Sequence, residues 1–388
     1  MTSHISTETI SRDNEKSYFR SMRAKFSGRE IITPMKALDA SKLQSKININ
    51  PKAHGFKEIY REITPDKATA IDKDRATHDQ FTREMINLEN RGDPEETKIC
   101  FIRYVGKENP FPNQKQIDVL ADVAHSFSDI TPLPLLDVKI SDTTFDRYTD
   151  FVKRSYESIE KLNKKPIMGA LPHVSRELHR KLIDFYHKIG LTSFYIDFDG
   201  QMPTELRTRP IRTQLNDLKI LDKSLIYGIN AKPGHTLKNQ NIVPAKDFLS
   251  FGYGVDILGE SHVRMKAPKI VFEKMKQAIE NQQVNKRRIF FKSDYGYYKT
   301  NKKNDLAEIF PNDTGIKLDD ILNDNFKTAQ KLFNMEQQGI EAAKIKKRLN
   351  ELDKNETILD YLKGKKYIQS ELKLLKAKNN QQKTLSGY

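Results

Sequence analysis

Residues 251–264 read Phe-Gly-Tyr-Gly-Val-Asp-Ile-Leu-Gly-Glu-Ser-His-Val-Arg, a short apolar segment ending in Asp256, Glu260, Ser261 and His262. Carboxylates beside an imidazole suit nucleophilic displacement or general acid–base work, because unequal burial drives the pKa values of neighbouring groups apart. Similar polar groups follow earlier apolar segments: Asp137, His173, Asp197 with Asp199, and Asn230 with Lys232. If those segments are strands of a (β/α) barrel, these groups fall at carboxyl ends, where such barrels carry their active sites. Asp199, in Asp199-Gly200-Gln201, also has turn chemistry, and Asp256, within its strand, is also placed to cap the barrel bottom. No His or carboxylate pair has the helical spacing of a metal site, so no metal is indicated. Gly252-Tyr-Gly254 and Lys232-Pro-Gly234 match no phosphate-binding fingerprint, so no cofactor is indicated.

The elements that would position these groups are bursts of β-branched and aromatic residues. Candidate strands are Glu30 to Pro34, Phe56 to Ile63, Ile99 to Val105, Pro132 to Val138, Pro166 to Leu171, Ser193 to Phe198, Ser224 to Asn230 and Val255 to Leu258. Eight is the number a closed (β/α) barrel needs. Apolar spacing predicts helices over Phe145 to Leu162 and Ser175 to Ile189, with shorter ones over Asn113 to Ala124 and Pro244 to Phe251. Thr64 to Asp93 is charged and reads as an irregular excursion at the barrel mouth. The expected fold is therefore a (β/α)8 TIM-type barrel over residues 26–285, with a polar arm at 1–25, helical near Glu15 to Lys25. A basic strand-plus-helices extension follows at 286–388.

In that extension, Lys269 to Gln283 predicts a helix leading in, and Arg287 to Lys292 a further strand. Leu318 to Leu375 is helical in pattern, with Gly339 and Gly364 as helix ends or kinks. Arg287, Arg288, Lys292, Tyr297, Lys299, Lys302 and Lys303 form a basic stretch with aromatics between. Such a mixture can hold phosphates with cations and stack bases on rings. A net charge of +15 over 388 residues also favours a polyanionic partner. The single cysteine, Cys100, excludes an intramolecular disulfide and reads as a buried strand thiol, which fits a reducing, cytoplasmic setting. The amino-terminal twenty residues lack the apolar core of a signal peptide, and no window approaches the ~20 apolar residues of a membrane span, so no membrane partner is expected.

Ser128-Asp-Ile-Thr-Pro-Leu-Pro-Leu-Leu-Asp137, with Arg154-Ser155 in the following helix, resembles the corresponding strand of the tRNA-guanine transglycosylase superfamily, in its archaeal or DNA 7-deazaguanine branch. Residues 166–171, 189–200, 226–230, 244–249, 254–258, 289–298 and 323–337 extend the resemblance as short matches over roughly residues 98 to 340. It implies exchange of guanine in nucleic acid for a free 7-deazaguanine base, through attack of a carboxylate on the ribose anomeric carbon. The target nucleotide must leave its stack to reach the cleft. By position Asp137 corresponds to the base-recognising aspartate. The nucleophilic aspartate falls on Gly259, with Glu260 one residue further, and a glutamine-glycine pair is replaced by Leu171-Pro-His173.

On this reading Glu260 or Asp256 supplies the nucleophile and His173 or His262 assists as acid or base, while Asp137, Asp197, Asp199 and Asn230 bind substrate. The partners are DNA or tRNA and a free 7-deazaguanine base, with self-association or a second subunit left open. Two alternatives stand beside it. One is a catalytically silent barrel that positions nucleic acid for a partner subunit; the other is a TIM-barrel enzyme of a small anionic metabolite with an incidental basic surface.

Overall fold

The computed structural model of the chain describes residues 4–13, 17–44, 46–162, 164–238, 240–263, 269–280, 286–300, 302–323, 327–352 and 356–375. The expected polar arm is instead part of a three-stranded antiparallel sheet, β1 (Ser6–Arg12), β2 (Arg20–Phe26) and β3 (Arg29–Ile32). Met22, Ala24 and Phe26 alternate along β2 and are buried, a period of two that opposes the expected helix. Ser27 and Gly28 both take positive φ, 46° and 77°, and close the tight β2–β3 hairpin, a turn that needs left-handed backbone at both central positions. β3 thus absorbs most of the Glu30 to Pro34 candidate, and the first parallel strand begins later.

That strand comes in two pieces, β4 (Met35–Lys36) and β5 (Leu38–Asp39), followed by β6 (Phe56–Ile63) and β7 (Thr97–Tyr104). Next come β8 (Thr131–Pro132), β9 (Leu135–Leu136), β10 (Ile167–Leu171), β11 (Phe194–Asp197) and β12 (Ile226–Ile229). A short β13 (Ile242–Pro244) precedes β14 (Ile257–Leu258). Two parallel sheets result, one ordered β4-β14-β12-β11-β10-β8 and the other β5-β6-β7-β9. At two short breaks, Ala37 between β4 and β5 and Leu133 with Pro134 between β8 and β9, the chain steps directly from one sheet to the other. Strands covered on both faces need nearly continuous apolar sequence, and β10 is buried at all five positions. Cys100 lies buried in β7, its N–H donating to Ser128 Oγ at 2.7 Å.

Helices over Gln114–Ser126, Phe145–Glu160, Arg176–Lys188 and Glu205–Asp217 connect these strands. Thr64 to Asp93 is no irregular excursion. It forms two helices, Pro65–Lys73 and Arg75–Glu89, whose first turns are capped by the Thr64 and Asp74 side chains. Ala68, Ile71, Phe81, Met85 and Leu88 make their sparse inward stripe, and the charged majority faces solvent. Lys246–Tyr253 winds as a 3-10 helix and ends at Gly254, whose φ of 89° only glycine adopts without strain. Lys269–Glu280 is helical, and residues 281–283 of the expected helix lie outside the described residues.

β15 (Arg287–Phe291) and β16 (Gly296–Thr300) form an antiparallel hairpin whose second strand pairs with β13. The 24-residue helix Thr328–Glu351 packs across the turn Pro51–Ala53. Gly339 lies inside this helix and not at its end, and a Cβ there would sit 2.7 Å from Ala53 Cβ, so glycine allows the close approach of the turn. No described helix is long and apolar enough to cross a membrane.

Asp256 precedes β14 and so lies at the amino-terminal end of that strand, away from the polar strand ends. It is fully buried and takes a bidentate ion pair from Arg20, at 2.8 Å from Nε and 2.7 Å from Nη2, plus the Ile226 N–H at 2.8 Å. Arg20 also donates to the Leu221 and Ser224 carbonyls, which ties β2 under the parallel strands. Asp256 is therefore a structural acid and leaves the set of candidate nucleophiles. Removing one partner of a buried pair strands the other charge, so Arg20→Met should destabilise the fold by about 3–5 kcal/mol in urea denaturation, whereas Arg20→Met with Asp256→Leu should recover much of that loss.

Candidate active site

Charged residues inside apolar strands cost desolvation and persist where partners await them. β6 carries Glu58, and β7 carries Arg103. Glu58 is fully buried. Its Oε1 accepts from His262 Nε2 and from the Glu260 backbone N–H, each at 2.7 Å, and its Oε2 accepts from the Tyr227 hydroxyl at 2.5 Å. From His262 the hydrogen bonds continue: its backbone N–H donates to Asn230 Oδ1 at 2.7 Å, and Asn230 Nδ2 donates to Asp197 Oδ1 at 2.8 Å. Asp197 faces Arg103 at 3.5 Å, and Arg103 Nη2 reaches Asp137 at 2.6 Å and Asp199 at 3.6 Å. One connected network thus links β6, β7 and β11 with the segments that follow β9, β12 and β14.

Local backbone chemistry explains how these groups turn inward. Asn230 and Asp199 adopt positive φ, 59° and 47°, a region that short polar side chains tolerate better than others. The Asp199 N–H donates to Asp197 Oδ1 at 2.9 Å, so the two aspartates brace one turn. Tyr60 stacks flat on the His262 ring, with centroids 4.4 Å apart and planes 4° from parallel.

Burial would raise the Glu58 carboxyl, but the charges of His262 and Lys36 and the hydrogen bonds from His262 and Tyr227 outweigh it and hold it at about 2. Burial lowers His262, and the Glu58 carboxylate more than reverses this, so its pKa lies above the ordinary histidine value. Burial raises Asp197 despite the Asn230 and Asp199 hydrogen bonds and the Arg103 charge, and pushes the Tyr60 hydroxyl to about 12. The site therefore joins an imidazole biased toward its charged form, a buried acid biased toward its neutral form, and more accessible carboxylates. That combination can donate and accept protons around a displacement.

Glu260, His262, Asp137, Asp197, Asp199 and Asn230 are brought together. Glu260 keeps about a quarter of its side chain exposed and forms an ion pair with Lys36 of β4. His173 lies exposed at the edge, its pKa lowered by partial burial and by Arg207 against the pull of Asp199 and Asp197. Gly259 cannot carry an acid: a Cβ there would lie 2.5 Å from Glu58 Oε2 and 2.7 Å from the Tyr227 ring. Glu58, from a different strand, occupies the space where such a side chain would begin. Glu58, Tyr60, Arg103 and Lys36 were not singled out from sequence, although a charge inside an apolar strand was the available signal.

The basic stretch is corrected in part. Arg287 and Tyr297 are buried, the first donating to the Leu322 carbonyl and the second to Asp247 Oδ2 at 2.6 Å. Lys292 pairs with Asp313, and Lys303 with Asp319. Arg287 and Tyr297 are taken up by the fold, since β15 and β16 bury one face against the long helix, and Lys292 is held by Asp313, whereas Lys303 stays 64% exposed beside Asp319. Arg288 and Lys302 are exposed and Lys299 is half-buried. Among the described residues, no group of three or more His, Cys, Asp or Glu is arranged to hold a metal ion.

No family model matches the chain, and no curated protein matches it. Among solved structures, one described as a "putative fructose-1,6-biphosphate aldolase" from Coccidioides immitis aligns over 82% of this chain and 91% of its own, at 8% identity and a TM-score of 0.33. At that score the likeness carries no argument about fold or activity.

The Glu58–His262 pair has a definite pH signature. His262, raised in the folded state, contributes stability that is complete below its unfolded pKa of about 6.5 and is lost as pH rises through the folded value. Glu58, depressed, contributes stability that is complete above about 4.5 and is lost as pH falls toward 2. The pair should thus stabilise most between about pH 4.5 and 6.5. Glu58→Gln should flatten both limbs of a urea-stability profile and lower the His262 titration midpoint in NMR; an unmoved midpoint would refute the coupling.

Proposed function

We propose that the strand-end network is the active site of a (β/α)8 barrel enzyme that exchanges a guanine in nucleic acid for a 7-deazaguanine base. In this reading the two parallel sheets are arcs of one barrel, joined where β4 runs into β5 and β8 into β9. The observation that supports it is the gathering of Asp137, Asp199 and Glu260, which follow the carboxyl ends of β9, β11 and β14, around the Glu58–His262 pair and Arg103, of which Glu58 and Arg103 reach in from within β6 and β7. Asp137 accepts hydrogen bonds from the N1 and amino groups of the purine, with Arg103 orienting it. Glu260, oriented by Lys36, attacks the ribose anomeric carbon and the base departs with the bonding electrons. His262, charged beside Glu58, gives its proton to the departing base and is left neutral; the incoming base then bonds to the anomeric carbon through its ring nitrogen, returns that nitrogen's proton to His262 and releases the Glu260 carboxylate.

The exclusion of an acid at Gly259 supports assigning the attack to the neighbouring Glu260 rather than treating the barrel as silent. Incubation with labelled 7-deazaguanine base and either tRNA or duplex DNA should incorporate label into one of them. Glu260→Gln should abolish incorporation and the covalent adduct, Asp137→Asn should chiefly weaken base binding, and His262→Gln should slow exchange by about a hundredfold or more. No incorporation into either nucleic acid overturns the reading; an adduct surviving in Glu260→Gln moves the attack to another carboxylate, of which Asp199 is the most exposed at 42%.

A further inference from the structure

On the β15–β16 hairpin, Arg288 stands directly opposite Lys299 in the antiparallel register. Like charges in that position destabilise a sheet, so their pairing calls for an outside anion. Lys286 flanks them, and the Arg288 N–H donates to Gln330 Oε1 at 2.9 Å in the first turn of the long helix, which sets Lys327, the residue before that helix, beside the same cluster; burial, with the Arg287 and Arg288 charges, lowers the Lys327 pKa, and burial, Arg288 and Lys286 lower that of Lys299. Lys286 donates only to the Asn241 side chain and Lys299 to Thr236 Oγ1. Among the described residues no carboxylate forms an ion pair with any of the four.

Two of the hairpin's three tyrosine rings are withdrawn from the surface, Tyr297 buried against Asp247 and Tyr295 against Glu341, and the half-buried Tyr298 makes edge contacts with Phe291 and Tyr367. A surface with several cations and at most one partly exposed ring suits a backbone better than a run of unstacked bases, which favours a duplex over a single strand. The Lys299 N–H is bonded to the Asn241 carbonyl, in the segment leading away from Asn230 of the active site, so the patch is tied to the loop that follows β12.

We infer that Lys286, Arg288, Lys299 and Lys327 form a phosphate-binding surface for the backbone of duplex DNA. This rests on the nucleic-acid half of the function proposed above and not on base exchange, so it stands or falls by binding alone. The test is fluorescence anisotropy of the full chain with a 20-base-pair DNA duplex, a single strand of the same length and a folded tRNA, over a salt titration. Arg288→Gln with Lys299→Gln should weaken duplex binding about tenfold at low salt and reduce the slope of log K against log salt by roughly two. Lys286→Gln with Lys327→Gln, outside the strand pair and so safe for its folding, should act in the same direction. Lys153→Gln with Lys181→Gln, exposed on other helices, removes equal charge and should leave the slope unchanged. Equal losses in the control, no slope change in either patch pair, no salt-dependent binding by the parent chain, or tighter binding of the single strand or tRNA than of the duplex would each overturn the inference.

Discussion

A carboxylate with no exposure to solvent cannot remain charged without donors on nearly every lone pair, and Glu58 sets that demand at the centre of this molecule. Tyr227 on β12, the Glu260 amide and the His262 ring answer it, which fixes the spacing of β6, β12 and the segment after β14. The same oxygen that accepts from Tyr227 fills the space above Gly259 and forces glycine there. Packing thus determines which neighbouring residue can present an acid at this strand end.

The two ends of the parallel strands are built differently. At the amino-terminal end Arg20 and Asp256 neutralise each other completely, with carbonyls taking the remaining donors, and nothing is left over for chemistry. At the carboxyl end charges are shared among more partners than can be fully satisfied at short range, as the 3.5 and 3.6 Å approaches of Arg103 to Asp197 and Asp199 indicate. The carboxy-terminal region is clasped by buried polar groups as well. Burial pushes Asp247 up to about 6 while Tyr297 donates to it, and Glu341 gathers Tyr295, Tyr361 and Lys365. The basic tract is held in place from beneath by these contacts, and among the described residues its outward Arg288 and Lys299 form no ion pair with a carboxylate.

Legibility followed the length and contrast of each sequence signal. The helices Phe145–Glu160 and Arg176–Lys188 were readable because their apolar residues recur at one period over many positions, whereas β6, with Phe56, Ile59, Tyr60 and Ile63 at no strand period, carried a much fainter signal. The helices over 65–89 were hidden by their charge, since only a thin stripe of each is buried. β2 was misread because Arg and Lys alternate with Met, Ala and Phe along it, a half-buried strand that local composition disguises as a polar arm. In the site, acids after strands were visible from their position, whereas Glu58 and Arg103 lie within strands and were read as part of them.

By itself the sequence determined the parallel strand-and-helix alternation, the carboxyl-end location of Asp137, Asp197, Asp199, Asn230, Glu260 and His262, and the excess of positive charge, because periodicity and composition are local properties. Only tertiary structure decided that Asp256 faces Arg20 at the opposite end, that Glu58 stands over Gly259, and which cations of the basic stretch remain unpaired. Those outcomes depend on pairings across as many as 236 residues of chain, as between Arg20 and Asp256. A carboxylate's role is set by what desolvates it and what charge it meets, and neither is written in its sequence neighbours.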